Sequence, residues 1–398
     1  MKKYDISQPI ALKKGVYKLN DEANFNYQLN RVINWDGGRL EDIRKISEKI
    51  KNSADWKREL IALGDEAMEE ERIDNAIAYY RMSEFFMYDG DPDKKKYYEK
   101  ATALFYEYYA DYFEGENPRI RRLEVPYEGV KLPVMHVKPE GESRGILLLH
   151  GGNDSYFEEF LFSLLYLQEK GFEVYLFEGP GQGGVIRTQG MHFTHEWEKP
   201  VKVVLDFFNL SDVTIIGVSL GGYLAPRAAA FDKRITRVVA WSVFPSFLDV
   251  IISGQPPALR KIFYLLMKLH AKGLVNLIFN AKAQKEPMID WGLKHGMYAY
   301  EADSAYGYAR KLADYSLEPI ADKVTQDLLI LGASRDHFID YHMIGREIDM
   351  FTNVRSLIFR LFTEKEEAEN HCNVGNGKLA LDTICGWVDM AADKGDWI

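Results

Sequence analysis

The chain carries only two cysteines in 398 residues, Cys372 and Cys385, and they form no CxxC pair. That excludes a disulfide-stapled scaffold and suits a reducing compartment, cytoplasmic by default. Long apolar runs are missing too. The best candidate for a membrane span, Ile262 to Phe279, is broken by Lys268 and Lys272, so no window of about 18 residues is free of charge. The opening Met1-Lys2-Lys3-Tyr4-Asp5-Ile6 has no apolar core of the kind a signal peptide carries. Nor is positive charge in excess: Lys and Arg number 50 against 60 Asp and Glu, a formal net charge of -10. This balance argues against nucleic acid or an anionic membrane as a partner, while leaving room for local basic patches. What remains is a globular composition, 46% hydrophobic and 28% charged, with 13% aromatics to build a large core and line an apolar pocket. The length suggests two or three structural units.

Up to about Phe113 the pattern is helical, with few β-branched runs. Leu60, Leu63, Gly64, Ala67, Ala76, Tyr80 and Ser83 have the spacing of a single tetratricopeptide-like unit, two antiparallel helices brought close by small residues. One such unit cannot bury its own apolar face, and no second copy follows. A solenoid is therefore not expected, and the helices should dock on the rest of the chain. A further long helix is expected from Lys94 to Tyr112.

Beyond Pro118 the periodicity changes. Leu123 to Gly129 and Val130 to Val137 read as a hairpin. Apolar strands then alternate with helices at 145–149, 173–177, 213–217, 237–241, 328–331 and 357–361, which implies an α/β fold with a largely parallel sheet and helices on both faces. The stretch from Trp241 to Leu328 has no strand character and is expected to form a helical lid at about 244–322. The expected division is thus a helical domain over 1–120 and an α/β domain over 121–398 carrying the lid.

The strand-like run Asp212 to Ile216 leads into Gly217-Val218-Ser219-Leu220-Gly221, and a helix rich in Ala and Leu follows. A serine between glycines at a strand-to-helix turn is the nucleophile elbow, whose strained backbone lifts the hydroxyl towards the helix N-terminus. A serine hydroxyl is a weak nucleophile, so it needs a base and a group that orients the base. On such a sheet the order along the chain is nucleophile, acid, histidine. Asp336 stands just past the strand 328–331, and His371 is the only histidine after the last strand. His337 and His342 are expected at the surface, opening a helix, and Asp340 inside that helix is the weaker acid candidate. Leu220 N–H and Gly152 N–H are the expected oxyanion donors, the latter from His150-Gly151-Gly152-Asn153, with Asn153 as the alternative. Glu178-Gly179-Pro180-Gly181-Gln182-Gly183 has neither the GxGxxG register nor a P-loop lysine and reads as a structural turn. No metal is expected at His192, His195 and Glu196, whose order is not that of a zinc-protease helix. Cys372, beside His371, is expected to pack. No cofactor is implied.

Taken together, Glu178-Gly-Pro-Gly-Gln-Gly, Gly217-Val-Ser-Leu-Gly and Asn370-His-Cys-Asn-Val-Gly-Asn resemble the α/β-hydrolase superfamily. Within it they are similar to the branch of dihydroxypseudooxynicotine hydrolase, fungal heptaketide hydrolases and fermentation–respiration switch-like proteins. That resemblance implies the α/β-hydrolase fold behind an N-terminal helical region, and the triad positions fall on Ser219, Asp336 and His371. It implies hydrolysis of an ester or of a carbon–carbon bond beside a carbonyl in a small molecule, and a homodimer. An acylaminoacyl-peptidase or oligopeptidase-type activity is the alternative, although no propeller precedes the hydrolase domain. A third reading, from the tetratricopeptide-like hairpin and the regulatory relative, is a non-catalytic interaction protein on a hydrolase scaffold.

Overall fold

The apolar runs of the second part of the chain pair into one eight-stranded sheet in the computed structural model, which describes residues 2–88 and 90–392. Its strands are β1 (Arg121–Tyr127), β2 (Val130–Val137), β3 (Ile146–His150), β4 (Glu173–Phe177), β5 (Val213–Val218), β6 (Ile235–Trp241), β7 (Asp327–Ala333) and β8 (Ser356–Phe362). They lie in the order β1-β2-β4-β3-β5-β6-β7-β8. The first two form an antiparallel hairpin, β2 runs antiparallel to β4, and every pairing from β4 to β8 is parallel. β1 alternates exposed and buried residues towards its end, whereas β5 and β7 are buried at every position. That is the difference expected between a solvated antiparallel edge and strands covered on both faces.

The chain divides into two compact units, and neither is a continuous stretch. The sheet unit comprises Asp111–Ser246 and the chain from Ser316 onward, together with Asp5–Val16. That early strap is held through Gly15 N–H, which donates to Gly375 C=O at 2.7 Å.

The helical unit joins Tyr17–Ala110 to Phe247–Tyr315. Its first part holds the helices Ala23–Asn34, Leu40–Ser47, Ser53–Glu69, Ile73–Ser83 and Pro92–Tyr108. The expected antiparallel pair is the third and fourth of these. The Tyr80 ring occupies the space where a side chain at Gly64 would begin, 2.4 Å from the position of a Cβ. The second part adds Pro257–Lys268, Lys272–Ala283, Pro287–Ala299 and Ala305–Ala313. An aromatic column joins the two parts. Phe25 stacks on Trp56, Phe86 meets both Phe25 and Trp56 edge-on, and Trp291 stacks on Phe85 at 5.6 Å between ring centroids.

This division differs from the expected one. The segment expected as a lid of the α/β domain clusters instead with the N-terminal helices, and the boundaries fall at 110/111, 246/247 and 315/316 rather than at 120, 244 and 322. The physical reason is the aromatic column: its rings come from positions about two hundred residues apart, and no local periodicity announces such a contact.

Candidate active site

Every residue of the site lies within the sheet unit, on the loops that follow β3, β4, β5, β7 and β8. This is the carboxyl edge of the parallel strands, where open α/β sheets gather their functional groups.

β5 ends at Val218, and the helix Gly221–Phe231 begins three residues later. The reversal leaves Ser219 in the left-handed region, at φ 61°, a conformation that costs a non-glycine residue of order 1–3 kcal/mol. Gly217 allows it: a Cβ there would lie 2.3 Å from Gly221 C=O. Ser219 N–H donates to Trp241 C=O at the end of β6 at 3.1 Å, which anchors the turn to the next strand.

The structure brings Ser219, His371 and Asp336 into one hydrogen-bonded line. Ser219 Oγ lies 2.8 Å from His371 Nε2, and His371 Nδ1 lies 2.7 Å from Asp336 Oδ2. Asp336 Oδ1 accepts from the backbone N–H groups of Phe338 (2.9 Å) and Ile339 (3.0 Å), so both carboxylate oxygens are directed. The loops bearing the acid and the histidine are stitched together by Ser334 N–H to Phe362 C=O and Arg335 N–H to Glu369 C=O, both 2.9 Å. After His371 the backbone turns through Cys372 and Asn373, both with positive φ. Asn373 Oδ1 accepts from Trp241 Nε1 at 2.8 Å, and its amide donates to Ala368 C=O at 2.8 Å. Phe338 packs edge-on against the imidazole at 5.1 Å. Burial disfavours the His371 imidazolium, but the Asp336 carboxylate beside it, followed by the Cys372 sulfur, outweighs that and holds its pKa well above the ordinary value.

Among the remaining sequence candidates, His342 and Asp340 stand apart at the surface and bond each other at 2.7 Å. His337 is also exposed. Cys372 is buried, with its sulfur 3.9 Å from Trp241 C=O.

The expected oxyanion donors fare differently. Leu220 N–H sits at the start of the helix Gly221–Phe231, 2.8 Å from where a Cβ on Gly152 would lie, so the His150–Ser155 loop faces it closely. Gly152 N–H, however, is engaged: it donates to Ser155 Oγ at 2.8 Å. The hydroxyl of Ser155 turns back on its own loop and captures the amide, a local competition that serine readily enters. Asn153 sends its side-chain amide to Asp154 at 3.0 Å. Ser155 was not singled out by sequence, and only its place three residues past Gly152 hinted at it.

The loop after β4, read as a turn, holds the 150–155 loop in place. Gln182, 1% exposed, donates its amide to Gly151 C=O (2.8 Å) and Gly152 C=O (3.1 Å), and its oxygen accepts from Gly179 N–H (2.9 Å). Glu178 accepts from Phe157 N–H (3.0 Å) and Gly184 N–H (2.9 Å), fixing the starts of two helical turns. Burial, with the Glu158 charge second, pushes its carboxyl up to about 8. His150 is fully buried, between Phe177 and Trp197, and burial lowers its pKa to about 4, so it is neutral and Nδ1–H donates to Gly151 C=O at 2.9 Å.

The sequence profile described as the Alpha/beta hydrolase family matches residues 146–368, more than half of the 398. Hydrolase acrC of Aspergillus aculeatus is 29% identical over 287 residues, covering 65% of this chain and 66% of that protein. Hydrolyase poxO of Penicillium oxalicum is 27% identical over 361 residues, covering 79% of this chain and 84% of that protein. The 20-hydroxy-prefusarin hydrolase of Gibberella moniliformis is 28% identical over 233 residues, or 54% and 55% of the two chains. Among solved structures, 2,6-dihydroxy-pseudo-oxynicotine hydrolase shares the fold with a TM-score of 0.63 at 18% identity, covering 93% of this chain and 97% of that one.

Proposed function

The chain belongs to the α/β-hydrolase family and is a hydrolase; on that premise we propose that it is a serine hydrolase acting on a small carbonyl compound, at an ester or at a carbon–carbon bond beside a ketone. The observation that carries this reading is the directed line Ser219–His371–Asp336, with the serine on a strained elbow at a helix N-terminus. His371 Nε2 takes the Ser219 proton as Oγ attacks the carbonyl carbon. Asp336 keeps Nδ1 protonated and stabilises the imidazolium. The tetrahedral oxyanion is received by Leu220 N–H and by Gly152 N–H, which exchanges Ser155 Oγ for the substrate oxygen; catalytic hydrogen bonds often tighten only when substrate is bound. Collapse breaks the bond to the leaving group, an alkoxide or an enolate, and the proton on His371 passes to it. Water, deprotonated by the same imidazole, then releases the acyl group and restores Ser219.

The small-molecule substrate class draws support from the relatives, of which one is named for hydrolysis of 20-hydroxy-prefusarin and a structural neighbour for hydrolysis of a pseudo-oxynicotine. The test is intact-mass detection of an acyl adduct after exposure to a panel of esters, aryl β-diketones and acyl-amides. An adduct on Ser219 from an ester or diketone, absent in Ser219→Ala, is expected. Turnover by Ser219→Ala at the wild-type rate, or adducts from acyl-amides alone, would overturn the reading.

A further inference from the structure

The helical hairpin Pro257–Lys268 and Lys272–Ala283 is built inside out for a soluble surface. Its inward side is complete: Met267 and Val275 are buried, and Phe263 meets Phe279 between the two helices at 5.8 Å. Yet its outward side is also apolar. Ile262 and Leu265 on the first helix and Leu269 just past its end follow one another at helical spacing and are 52%, 53% and 65% exposed. On the second, Leu274, Leu277 and Ile278 are 47%, 65% and 40% exposed. Folded chains rarely leave such a contiguous apolar patch uncovered without a binding partner.

Charge identifies the partner. From Val250 to Lys285 there is no Asp or Glu, while Arg260, Lys261, Lys268, Lys272, Lys282 and Lys285 all fall there, in a chain whose net charge is -10. The acids at the border are Asp249, which accepts from Tyr264 OH, Glu286, which follows Lys285, and Asp303, which lies 3.6 Å from Lys272 and offsets that one cation. Lys261 and Lys268, one heptad apart, flank the Ile262–Leu265–Leu269 stripe and are exposed. Leucines outward with lysines beside them are the pattern of a helix lying in a lipid interface, its apolar side among the acyl chains and its cations at anionic headgroups. Lysine is depleted in protein–protein interfaces, which argues against a second copy of this hairpin as the occupant.

We propose that the 257–283 hairpin docks the protein on an anionic lipid surface. It lies on the surface rather than crossing it, since no helix among the described residues is long and apolar enough to span a bilayer. The whole-chain charge that argues against such a partner averages over this local basic stretch. The proposal is independent of the chemistry assigned to Ser219.

The test is flotation of the full chain with vesicles of phosphatidylcholine and phosphatidylserine in a two-to-one ratio, and with phosphatidylcholine alone. Binding to the mixed vesicles that weakens with added salt is expected. Lys261→Glu with Lys268→Glu should weaken it by about tenfold or more, and Leu269→Ser with Leu277→Ser should abolish it, both with unchanged circular dichroism and thermal midpoint. Failure of the wild type to float with either vesicle overturns the proposal. So does undiminished flotation of the variants, or sedimentation showing an oligomer that Leu269→Ser with Leu277→Ser dissociates, which would make the patch an interface between copies.

Discussion

At Asp336 the two carboxylate oxygens have separate tasks: one faces His371, and the other is pinned by two backbone amides. Removing the charge while keeping the shape therefore tests the orienting role. Asp336→Asn should lower kcat/KM by about 10³–10⁴-fold, the scale of a wrong imidazole tautomer. The pH profile gives a second readout. His371 acts as a base only when neutral, and its pKa is raised above the ordinary histidine value, so kcat/KM should rise with pH through a pKa above 6.5. In Asp336→Asn that limb should move to lower pH, because the charge opposing deprotonation is gone. Gln182 makes a different prediction, since it touches the carbonyls of Gly151 and Gly152, in the proposed oxyanion loop, and not Ser219, His371 or Asp336. Gln182→Ala should reduce kcat by about 10²-fold with KM little changed, the cost of a misplaced oxyanion donor, measured by steady-state kinetics. The juxtaposition of Ser219, Asp336 and His371 was legible because each stands in the loop that follows an apolar strand, and chain order selects among the acids and histidines. Gln182 and Ser155 were not legible, because their meaning lies in contacts to backbone atoms on another loop or on a turn whose shape the residue types leave open.

At the scale of elements, strands β3 to β7 were legible because burial on both faces demands unbroken apolar runs, and turn residues punctuate them. The Gly64 contact was half legible: its spacing predicts close helices, but not that the Tyr80 ring fills the gap. Tyr80 is fixed there by its hydroxyl, which donates to Asp65 at 2.6 Å, so it cannot readily swing aside. Gly64→Ala, normally favourable in a helix, should here destabilise the fold by about 1–3 kcal/mol through overpacking, as a shift of the urea unfolding midpoint would register. The helices between β6 and β7 were foreseen as helices but assigned to the wrong neighbours. Their apolar residues point to a core without naming it, and only the rings of Phe85, Phe86 and Trp291 decide which.

For the whole molecule, two buried carboxyls link stability to pH. Glu347, 1% exposed, accepts from Phe244 N–H, and burial pushes its pKa to about 8, the same value as Glu178. Both are raised above the unfolded value, so between pH about 4.5 and about 8 the folded state keeps protons that the unfolded state has lost. Stability should therefore fall as pH rises through that window. Glu347→Gln should flatten the fall, leaving the protein more stable than wild type at the alkaline end by an amount on the order of a few kcal/mol, read from thermal melts across pH. The discontinuous helical unit has a consequence in time. Its first five helices are synthesised before any strand, yet the ring that completes their aromatic column, Trp291, follows only after β1 to β6. A chain emerging from the ribosome must hold Phe85 and Phe86 without that partner while six of the eight strands are made. This interval is when the nascent protein is most exposed to aggregation and chaperone capture.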